Sequence, residues 1–415
     1  MKVLITGGSG YLGQHLLASD GAQRPSLEVG YTFCRNPLSA EACGAAAFRM
    51  DLTDAASVAE AVSAFAPSVV IHTAAQASPA VAAKDPSGST LVNAPAALLD
   101  ALSELDRPPL VVYISTDQVH SGAGGEAPYA DAAPCRPVNA YGASKAAFEA
   151  MLAAQAGTLP FVVLRSSNMV GPPAPFTGAG KFLQWLEAQL DRSVNPDKVV
   201  ELFNDEVRSF AHVHDTVRAL WALVGVWEEA AEEGGTTDVA VAHGAAPGSA
   251  RAIVAGWRAG GAVYNMGGPE GLSRLDLAAV LAAARPEGSL PGACSLLLAD
   301  GATPGVAASS RAALDRELGY ASPLDITMDS AALAAVTQVA FRPMRTALAL
   351  DEGGGGGESG GAVATPGEPL LPLAPALLPE GALRPLSFTD AALLGLFAFV
   401  ASELIARAAS VSPGA

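Results

Sequence analysis

The sequence predicts an α/β protein built on a doubly wound parallel sheet, followed by a smaller C-terminal α/β lobe and a low-complexity tail that ends in a helix. Short apolar, β-branched runs alternate with helical segments through the first 165 residues, as expected when helices cover both faces of a parallel sheet. A glycine-rich turn joins the first of these runs to a helix. The tail is indicated by the Gly- and Pro-rich composition after residue 350.

The N-terminal part of the chain carries the most regular pattern. Six strands are predicted there, at residues 2–6, 28–33, 46–50, 68–72, 110–115 and 161–165. Helices are predicted between some of them, at residues 53–65 and 139–156. These elements predict a domain over residues 1–165, which some later segments are expected to join.

The pattern is less regular after Arg165, where a second lobe is predicted over residues 166–348. Its predicted elements are helices at residues 180–192, 215–231 and 273–284, and a strand near residues 262–266. Residues 228–252 are rich in Glu, Gly and Ala, which predicts a low-complexity surface insertion between a helix and a strand.

The tail is predicted to have two parts. Residues 349–386 form a flexible linker by composition, and residues 387–409 form a helix with Ser387 or Thr389 as its N-cap. The uncharged run at residues 391–402 is shorter than the ~20 residues that a membrane-spanning helix needs. We therefore expect an amphipathic helix that docks on its own domain or on a partner, with a membrane anchor as the less favoured alternative.

The charge balance excludes some classes of partner. The chain has 24 Lys and Arg residues against 41 Asp and Glu residues, which argues against binding to nucleic acid or to anionic membranes. The four Cys residues show neither a CxxC pair nor metal-ligand spacing, so reduced thiols in the cytoplasm are predicted. Because the first predicted strand begins at Lys2, no targeting segment is expected.

The segment "TGGSGYLG" predicts a Rossmann-type dinucleotide site. It places Gly7, Gly10 and Gly13 directly after a strand and at the start of a helix. Small residues in this turn let the backbone approach a pyrophosphate, and the N–H groups at the helix N-terminus hold its negative charge.

Three further segments refine the prediction of the cofactor. Arg35 ends the second predicted strand and favours NADP(H), with NAD(H) as the less favoured alternative, because an Arg there suits a 2′-phosphate. Asp51 follows the third strand, where a carboxylate can accept from the adenine amino group. Thr73, Ala74 and Ala75 end the fourth strand with small residues, where the dinucleotide crosses the sheet.

The segment "NAYGASK" places Tyr141 and Lys145 four residues apart, so they lie on the same face of a predicted helix. An ammonium group beside a phenol favours the phenolate and is expected to lower the pKa of Tyr141. The phenol would then exchange its proton near neutral pH.

These motifs together resemble the extended short-chain dehydrogenase/reductase family. The segments "TGGSGYLG", "DLTD", "VIHTAA", "YISTD", "YGASK", "RSSNMVGP" and "RSFAHVHD" occur in the order of that family. The resemblance covers about residues 1–345. Within the family, the chain resembles the dTDP-4-dehydrorhamnose reductase branch, and several details are most similar to the regulatory β subunit of methionine adenosyltransferase.

The resemblance implies a set of site residues. Thr116, Tyr141 and Lys145 match the catalytic residues, and Asp117, Gln118, Asn168 and Arg208 join Thr116 as the implied substrate site. The positions that match the cofactor site are Gly7, Gly10, Tyr11, Leu12, Gly13, Arg35, Asp51, Leu52, Thr73, Ala74, Ala75, Tyr141, Lys145 and Ser167. No metal site is expected, because His212 and His214 have no third ligand nearby in the sequence.

The resemblance implies two alternative functions. One is an NADPH-dependent reductase that transfers hydride to a carbonyl of a nucleotide sugar or a similar substrate. The other is an NADP-binding regulatory β-type subunit of methionine adenosyltransferase, which acts in S-adenosylmethionine biosynthesis without turnover of its own. The expected partners are the nucleotide-sugar-like substrate or the catalytic subunit of that enzyme, with a second copy of the chain as a further candidate in a homodimer.

Overall fold

The computed structural model describes residues 1–190, 199–232, 248–284 and 306–351. The predicted helix at residues 387–409 and all of the predicted linker after residue 351 lie outside these residues. The main feature is a seven-stranded sheet in which every neighbouring pair of strands is parallel. The predicted fold class, a Rossmann-type doubly wound sheet, is confirmed for these residues.

All six predicted N-terminal strands form, and the predicted strand near residues 262–266 joins the same sheet. The seven strands are β1 Lys2–Thr6, β2 Glu28–Phe33, β3 Ala46–Arg49, β4 Val69–His72, β5 Leu110–Thr116, β6 Phe161–Ser166 and β10 Ala262–Met266. Their order across the sheet is β10-β6-β5-β4-β1-β2-β3. Strand β10 pairs with β6, with Ala262 beside Val162 and Met266 beside Ser166. The sheet therefore contains residues from beyond the first 165.

Helices cover both faces of the sheet. One face packs against α1 Tyr11–Ala18, α9 Val213–Glu232, α10 Ala250–Gly260 and α13 Ala331–Thr337. The opposite face packs against α3 Ala55–Phe65, α6 Ala96–Ser103 and α7 Ala140–Ala154. Alternate residues of each strand enter the two cores, as Val3 and Ile5 enter the first and Leu4 enters the second.

The smaller C-terminal part surrounds a separate apolar core. Its elements are α8 Phe182–Leu190, β8 Val200–Phe203, α11 Arg274–Ala284, β11 Val306–Ser309, α12 Arg311–Leu318 and α14 Met344–Asp351. Strands β8 and β11 form a two-stranded parallel sheet. A second short pair, β7 Met169–Val170 with β9 Ala211–His212, follows the carboxyl end of β6.

Several helices have no counterpart in the sequence prediction. Those in the N-terminal part are α6 and the shorter α2 Ala40–Cys43, α4 Pro79–Lys84 and α5 Pro86–Asn93, and those in the C-terminal part are α10, α12, α13 and α14. Two 3-10 turns occur at Asp20–Gln23 and Asp117–Val119. Helices α4 and α5 each begin with proline and are capped by the side chains of Ser78 and Asp85. Proline is well placed at a first helical position, since it lacks only an N–H that has no partner there.

The predicted surface insertion at residues 228–252 is wrong at both ends. Helix α9 continues to Glu232 and buries Ala230, while α10 begins at Ala250 behind the N-cap Ser249. The Ala-rich composition therefore concealed helical residues, and residues 233–247 lie outside the described part of the chain. Among the described residues, no helix is long and apolar enough to cross a membrane.

Candidate active site

The glycine turn after β1 requires glycine at two positions. Gly7 has a positive φ of 66°, and a Cβ atom there would lie 2.7 Å from the Cα of Ala74. A Cβ on Gly13 would lie 2.5 Å from the Cα of Gly8. The ends of β1 and β4 and the start of α1 therefore approach one another too closely for any side chain.

The N-terminus of α1 faces this turn. Gly10 is its N-cap and supplies no side-chain hydrogen bond, so the N–H groups of the first turn have no side-chain acceptor from the cap. Tyr11 and Leu12 begin the helix; Tyr11 donates its hydroxyl to the carbonyl of Pro172 at 3.0 Å, and Leu12 is buried. Backbone donors at a helix N-terminus are suited to a negatively charged group.

The residues expected to hold the adenosine half lie at the ends of β2 and β3. Arg35 is exposed just after β2, and Asp51 follows β3 with the buried Leu52 beside it. Asp51 accepts hydrogen bonds from the Thr53 backbone at 2.9 Å and from the Thr53 hydroxyl at 2.7 Å. These bonds hold the pKa of Asp51 below its usual range, and the charges of Arg49 and Arg35 contribute.

Thr73 and Ala74 connect the end of β4 to β1 through hydrogen bonds. The Thr73 hydroxyl donates to the carbonyl of Thr6 at 2.7 Å, and the Ala74 N–H donates to the Thr6 hydroxyl at 3.3 Å. The side chain of Thr73 is therefore engaged by the protein, and Ala74 and Ala75 present small side chains at this edge.

Helix α7 approaches the end of β5 because of Asn139 and Gly142. Asn139 caps the helix by accepting from the Gly142 N–H at 2.8 Å, and it donates to the Gln118 side chain at 2.9 Å. A Cβ on Gly142 would lie 2.1 Å from the Gln118 carbonyl oxygen. This close approach brings Tyr141 of α7 to Thr116, the last residue of β5.

Burial decides the ionisation of Tyr141. The side chain is 9 % exposed, and burial raises its pKa to about 12, with hydrogen bonding to Thr116 opposing the effect and the charge of Asp117 adding to it. The phenol therefore keeps its proton at neutral pH, which suits a proton donor.

The prediction that Lys145 lowers the pKa of Tyr141 is wrong in this structure. The Lys145 Nζ atom lies 4.3 Å from the centroid of the Tyr113 ring, which comes from β5. Burial lowers the pKa of Lys145 to about 7, although the charge of Glu149 opposes this. Helical spacing correctly placed both residues on one face of α7, but packing against Tyr113 of β5 determines where the Lys145 ammonium group lies.

Asp117 is the ionisable group whose charge acts on Tyr141. It is 1 % exposed and accepts a hydrogen bond from the Thr116 hydroxyl at 3.1 Å. Burial raises its pKa to about 6, against the effects of the Arg208 charge and of the hydrogen bond from Thr116. The structure thus brings Thr116, Asp117, Gln118, Tyr141 and Ser167 together.

Arg208 lies close to this group but is occupied by the protein. Its guanidinium donates to the carbonyls of Pro323 at 2.7 Å and Leu324 at 2.9 Å, and it pairs with Glu206 at 3.2 Å. Binding a diphosphate would require it to leave some of these partners. Asn168, by contrast, is exposed.

Several supporting residues escaped the sequence prediction. Asn93 is fully buried and donates to the Ser144 hydroxyl at 2.9 Å, and that hydroxyl donates to the Tyr141 carbonyl at 2.7 Å. The N-cap role of Asn139 could have been found, because Asn is a preferred residue immediately before a helix. Asn93 gave no comparable signal.

The helix predicted at residues 215–231 begins two residues earlier than expected, at Val213. Asp215 therefore lies in its first turn, where it is buried and binds Arg342. His212 and His214 have a potential third ligand from a distant part of the chain, because Asp351 lies beside both.

Comparison with known proteins places this geometry in a family. Residues 3–236 match the family described as the NAD dependent epimerase/dehydratase family. The chain belongs to this family. The resemblance to extended short-chain dehydrogenases/reductases is confirmed at that level.

Two curated proteins that are similar to this chain are named for different activities. The chain is 28% identical over 244 residues to a probable dTDP-glucose 4,6-dehydratase of Sinorhizobium fredii (strain NBRC 101917 / NGR234), covering 54% of this chain and 68% of that protein. It is 33% identical over 147 residues to a dTDP-4-keto-6-deoxy-D-glucose reductase of Streptomyces niveus, covering 35% of this chain and 45% of that protein.

Solved structures of relatives share the fold over most of the chain. DesIV, a dTDP-glucose 4,6-dehydratase from Streptomyces venezuelae, matches with a TM-score of 0.60 at 20% identity, covering 85% of this chain and 95% of that one. The UDP-glucose 4-epimerase of Thermus thermophilus, in complex with NAD, matches with a TM-score of 0.57 at 25% identity, covering 85% and 98%.

An NAD(P) cofactor is typical of the NAD dependent epimerase/dehydratase family, and the residues of this chain fit one. The glycine turn is held tightly against β4 and α1, because a Cβ at Gly7 or Gly13 would collide with backbone atoms. Beside it, the first turn of α1 presents backbone donors, and Tyr141 lies along the same sheet edge. Ligands of doubly wound sheets bind at this carboxyl edge.

Proposed function

We propose that the chain is an NADPH-dependent reductase of the dTDP-4-dehydrorhamnose reductase-like type, acting on a carbonyl of a nucleotide sugar or a similar substrate. The observation that carries this proposal is the composition of the pocket around Tyr141. A protonated phenol and a threonine hydroxyl lie together there, beside the carboxyl group of Asp117 and the neutral amide of Gln118.

This composition suits carbonyl reduction. NADPH supplies the hydride when it is bound. Tyr141 holds a proton that can pass to the oxygen of the reduced carbonyl, and Thr116 can donate a hydrogen bond to the same oxygen as negative charge develops on it. Lys145 is buried beside Tyr113, and we expect its ammonium group to contact the bound cofactor.

The same composition is less suited to eliminating water from a sugar. Elimination needs a base that removes a proton from carbon and an acid that protonates the leaving hydroxyl. Asp117 is the carboxyl group whose charge acts on Tyr141, and its neighbour Gln118 is an amide that cannot serve as a second acid or base. The relative from Streptomyces niveus is named as a reductase, which also favours reduction over elimination.

The choice of NADPH rests on Arg35. Its exposed side chain lies at the end of β2, where a guanidinium can pair with a 2′-phosphate. A cytoplasmic location and a homodimer remain predictions that accompany this proposal.

The test is the substitution Tyr141→Phe, assayed by NADPH consumption with dTDP-linked 4-keto-6-deoxy sugars. Because the phenyl ring cannot supply a proton, kcat should fall by roughly 10²–10⁴-fold. The Kd for NADPH should stay within about twofold, which fluorescence titration can measure.

Tyr264→Phe is the matched control, since that phenol lies on β10 and accepts from the Trp257 indole rather than facing Thr116. The control should keep its turnover. If Tyr141→Phe turns over substrate as fast as the control does, the assignment of the proton donor is wrong.

The alternative, a regulatory β-type subunit of methionine adenosyltransferase, has less support. None of the relatives described above carries that name, and the helix at residues 387–409 that motivated it lies outside the described residues. A pull-down with the catalytic subunit of that enzyme separates the two functions.

A further inference from the structure

The geometry points to a divalent-metal site, of the Zn²⁺ class, formed by His212, His214 and Asp351. One possible ligand atom from each of these residues lies within 4.8 Å of the others. None of the three residues belongs to the group gathered around Tyr141, and the proposed reductase activity does not require the ion.

The two oxygens of Asp351 face two different imidazole rings. Oδ2 lies 2.8 Å from Nε2 of His212, and Oδ1 lies 3.8 Å from Nδ1 of His214. Imidazole nitrogens and carboxylate oxygens are ligands that Zn²⁺ takes at about 2.0–2.2 Å, so tetrahedral ligands lie roughly 3.4 Å apart. The three side chains are thus near the separation that one ion needs, and a small rotation of His214 closes the set.

The fold holds two of the ligands firmly and leaves one adjustable. The His212 side chain is buried on β9, and the Asp351 side chain, at the end of α14, is 15 % exposed. His214 begins the first turn of α9 with its side chain 49 % exposed, so it can turn and an ion can enter from solvent. A preformed pair with a mobile third ligand and an open path is a workable metal site.

Metal binding changes two hydrogen bonds of His212. Its Nε2 lies 2.8 Å from Oδ2 of Asp351, and its Nδ1 accepts from the His214 N–H at 3.3 Å, which is long for such a bond. An ion between Nε2 and Asp351 replaces their hydrogen bond and places the ring proton on Nδ1, so the protein exchanges both contacts for bonds from the metal to the imidazole and to the carboxylate.

The cation close to His214 is paired with a carboxylate of its own. The Nε and Nη2 atoms of the Arg342 guanidinium both lie 2.8 Å from Oδ1 of Asp215. A further imidazole, His15 of α1, lies with its ring centroid 5.7 Å from that of His214. An ion at this position would fasten the end of α14 to β9, next to the helix that follows the glycine turn.

The experiment uses the full chain, freed of metal with a chelator and titrated with Zn²⁺ by calorimetry and with Co²⁺ by visible absorption. We expect one Zn²⁺ per chain, Co²⁺ bands of a low-symmetry site, and a higher midpoint of thermal unfolding with Zn²⁺. His214→Ala and Asp351→Asn should each weaken Zn²⁺ binding by ~100-fold or more, since even residues outside the ligand set change affinity by 10–100-fold.

Asp100→Asn is the control. It removes an exposed carboxylate on α6, which packs on the face of the sheet opposite α9, so Zn²⁺ affinity should stay unchanged. Binding of NADPH by each variant shows that it is folded. The proposal is overturned if the wild-type chain binds no Zn²⁺, or if both ligand variants bind it as tightly as the control. Neither result bears on the reductase, which is assayed at Tyr141.

Discussion

Asp117 shows how burial sets the chemistry of single residues in the pocket. Its carboxyl group is 1 % exposed, and burial raises its pKa from 3.8 to about 6. Tyr141 and Lys145 are shifted for the same first reason, one upward and one downward. In each case the shift favours the neutral form, as expected for groups removed from water.

The raised pKa of Asp117 has a consequence for stability. Below about pH 4 the carboxyl group is protonated in both the folded and unfolded chains, and it contributes no penalty. Between about pH 4 and about pH 6 the unfolded chain has lost this proton while the folded chain keeps it, so the folded state loses relative stability as the pH rises through this window. A shift of about two units corresponds to about 3 kcal/mol at full effect.

We therefore predict that Asp117→Asn gains stability relative to the wild type as pH rises. The difference in the free energy of unfolding should become more favourable to the variant by about 3 kcal/mol between about pH 4 and about pH 7. Urea unfolding at several pH values measures it, with the exposed Asp100→Asn as a flat reference. A difference that does not change with pH would contradict the burial argument.

At the scale of elements, the packing of α7 against the 3-10 turn at Asp117–Val119 positions the proton donor. This packing depends on the absence of a side chain at Gly142, where a Cβ would meet the Gln118 carbonyl at 2.1 Å. Asn139 then fixes the helix start to the same turn. Any side chain at position 142 must move the helix away from β5.

Gly142→Ala should destabilise the protein by about 1–3 kcal/mol, the usual cost of overpacking, and lower turnover as well. The matched change Gly256→Ala lies in the interior of α10, where the new methyl group meets nothing within 4 Å. It should raise stability by about 0.5–1 kcal/mol, because alanine favours the helix. Denaturant unfolding of both variants checks the opposite signs.

The elements also show what the sequence could reveal. The strands were predictable because each is an apolar run between turn signals, and Val69, Val70 and Ile71 illustrate this in β4. Helices α4 and α5 were missed because proline and serine in a short segment indicate a loop unless the caps at Ser78 and Asp85 are recognised.

Contacts between distant segments were beyond the reach of sequence patterns. The Lys145 ammonium lies over Tyr113 of another element, and Asp351 meets His212 across 139 positions. Spacing along one helix predicts neighbours on that helix, whereas these partners follow from the packing of separate elements. Motif order therefore identified which residues gather at the sheet edge, but not how their charges are arranged.

At the scale of the whole molecule, Asp215 connects α9 to the segment that leads into α14. It is fully buried and accepts from the Arg342 backbone at 2.9 Å and from its guanidinium at 2.8 Å. Arg218, one turn along α9, donates at 2.6 Å from a side chain that is 54 % exposed. One carboxylate thus serves a partly buried partner and an exposed one.

Asp215→Ala should lower the free energy of unfolding by about 1–3 kcal/mol, because it leaves the partly buried Arg342, whose side chain is 25 % exposed, without its carboxylate partner. Arg218→Ala should cost no more than about 1 kcal/mol, since an exposed ion pair contributes little. Urea unfolding at neutral pH compares the two. Equal losses would mean that Arg218 and Arg342 contribute equally to stability, which would contradict the argument from their different exposure.

The position of β10 beside β6 has a consequence for synthesis of the protein. Residues 167–261 are made between these two neighbours. During translation, the edge of β6 that pairs with β10 has no partner until residues 262–266 have left the ribosome, and unpaired apolar strand edges are prone to aggregate. A truncated product that ends before Ala262 lacks β10 and keeps this edge unpaired. We therefore expect chaperones to bind the nascent chain mainly while residues 167–261 are being made.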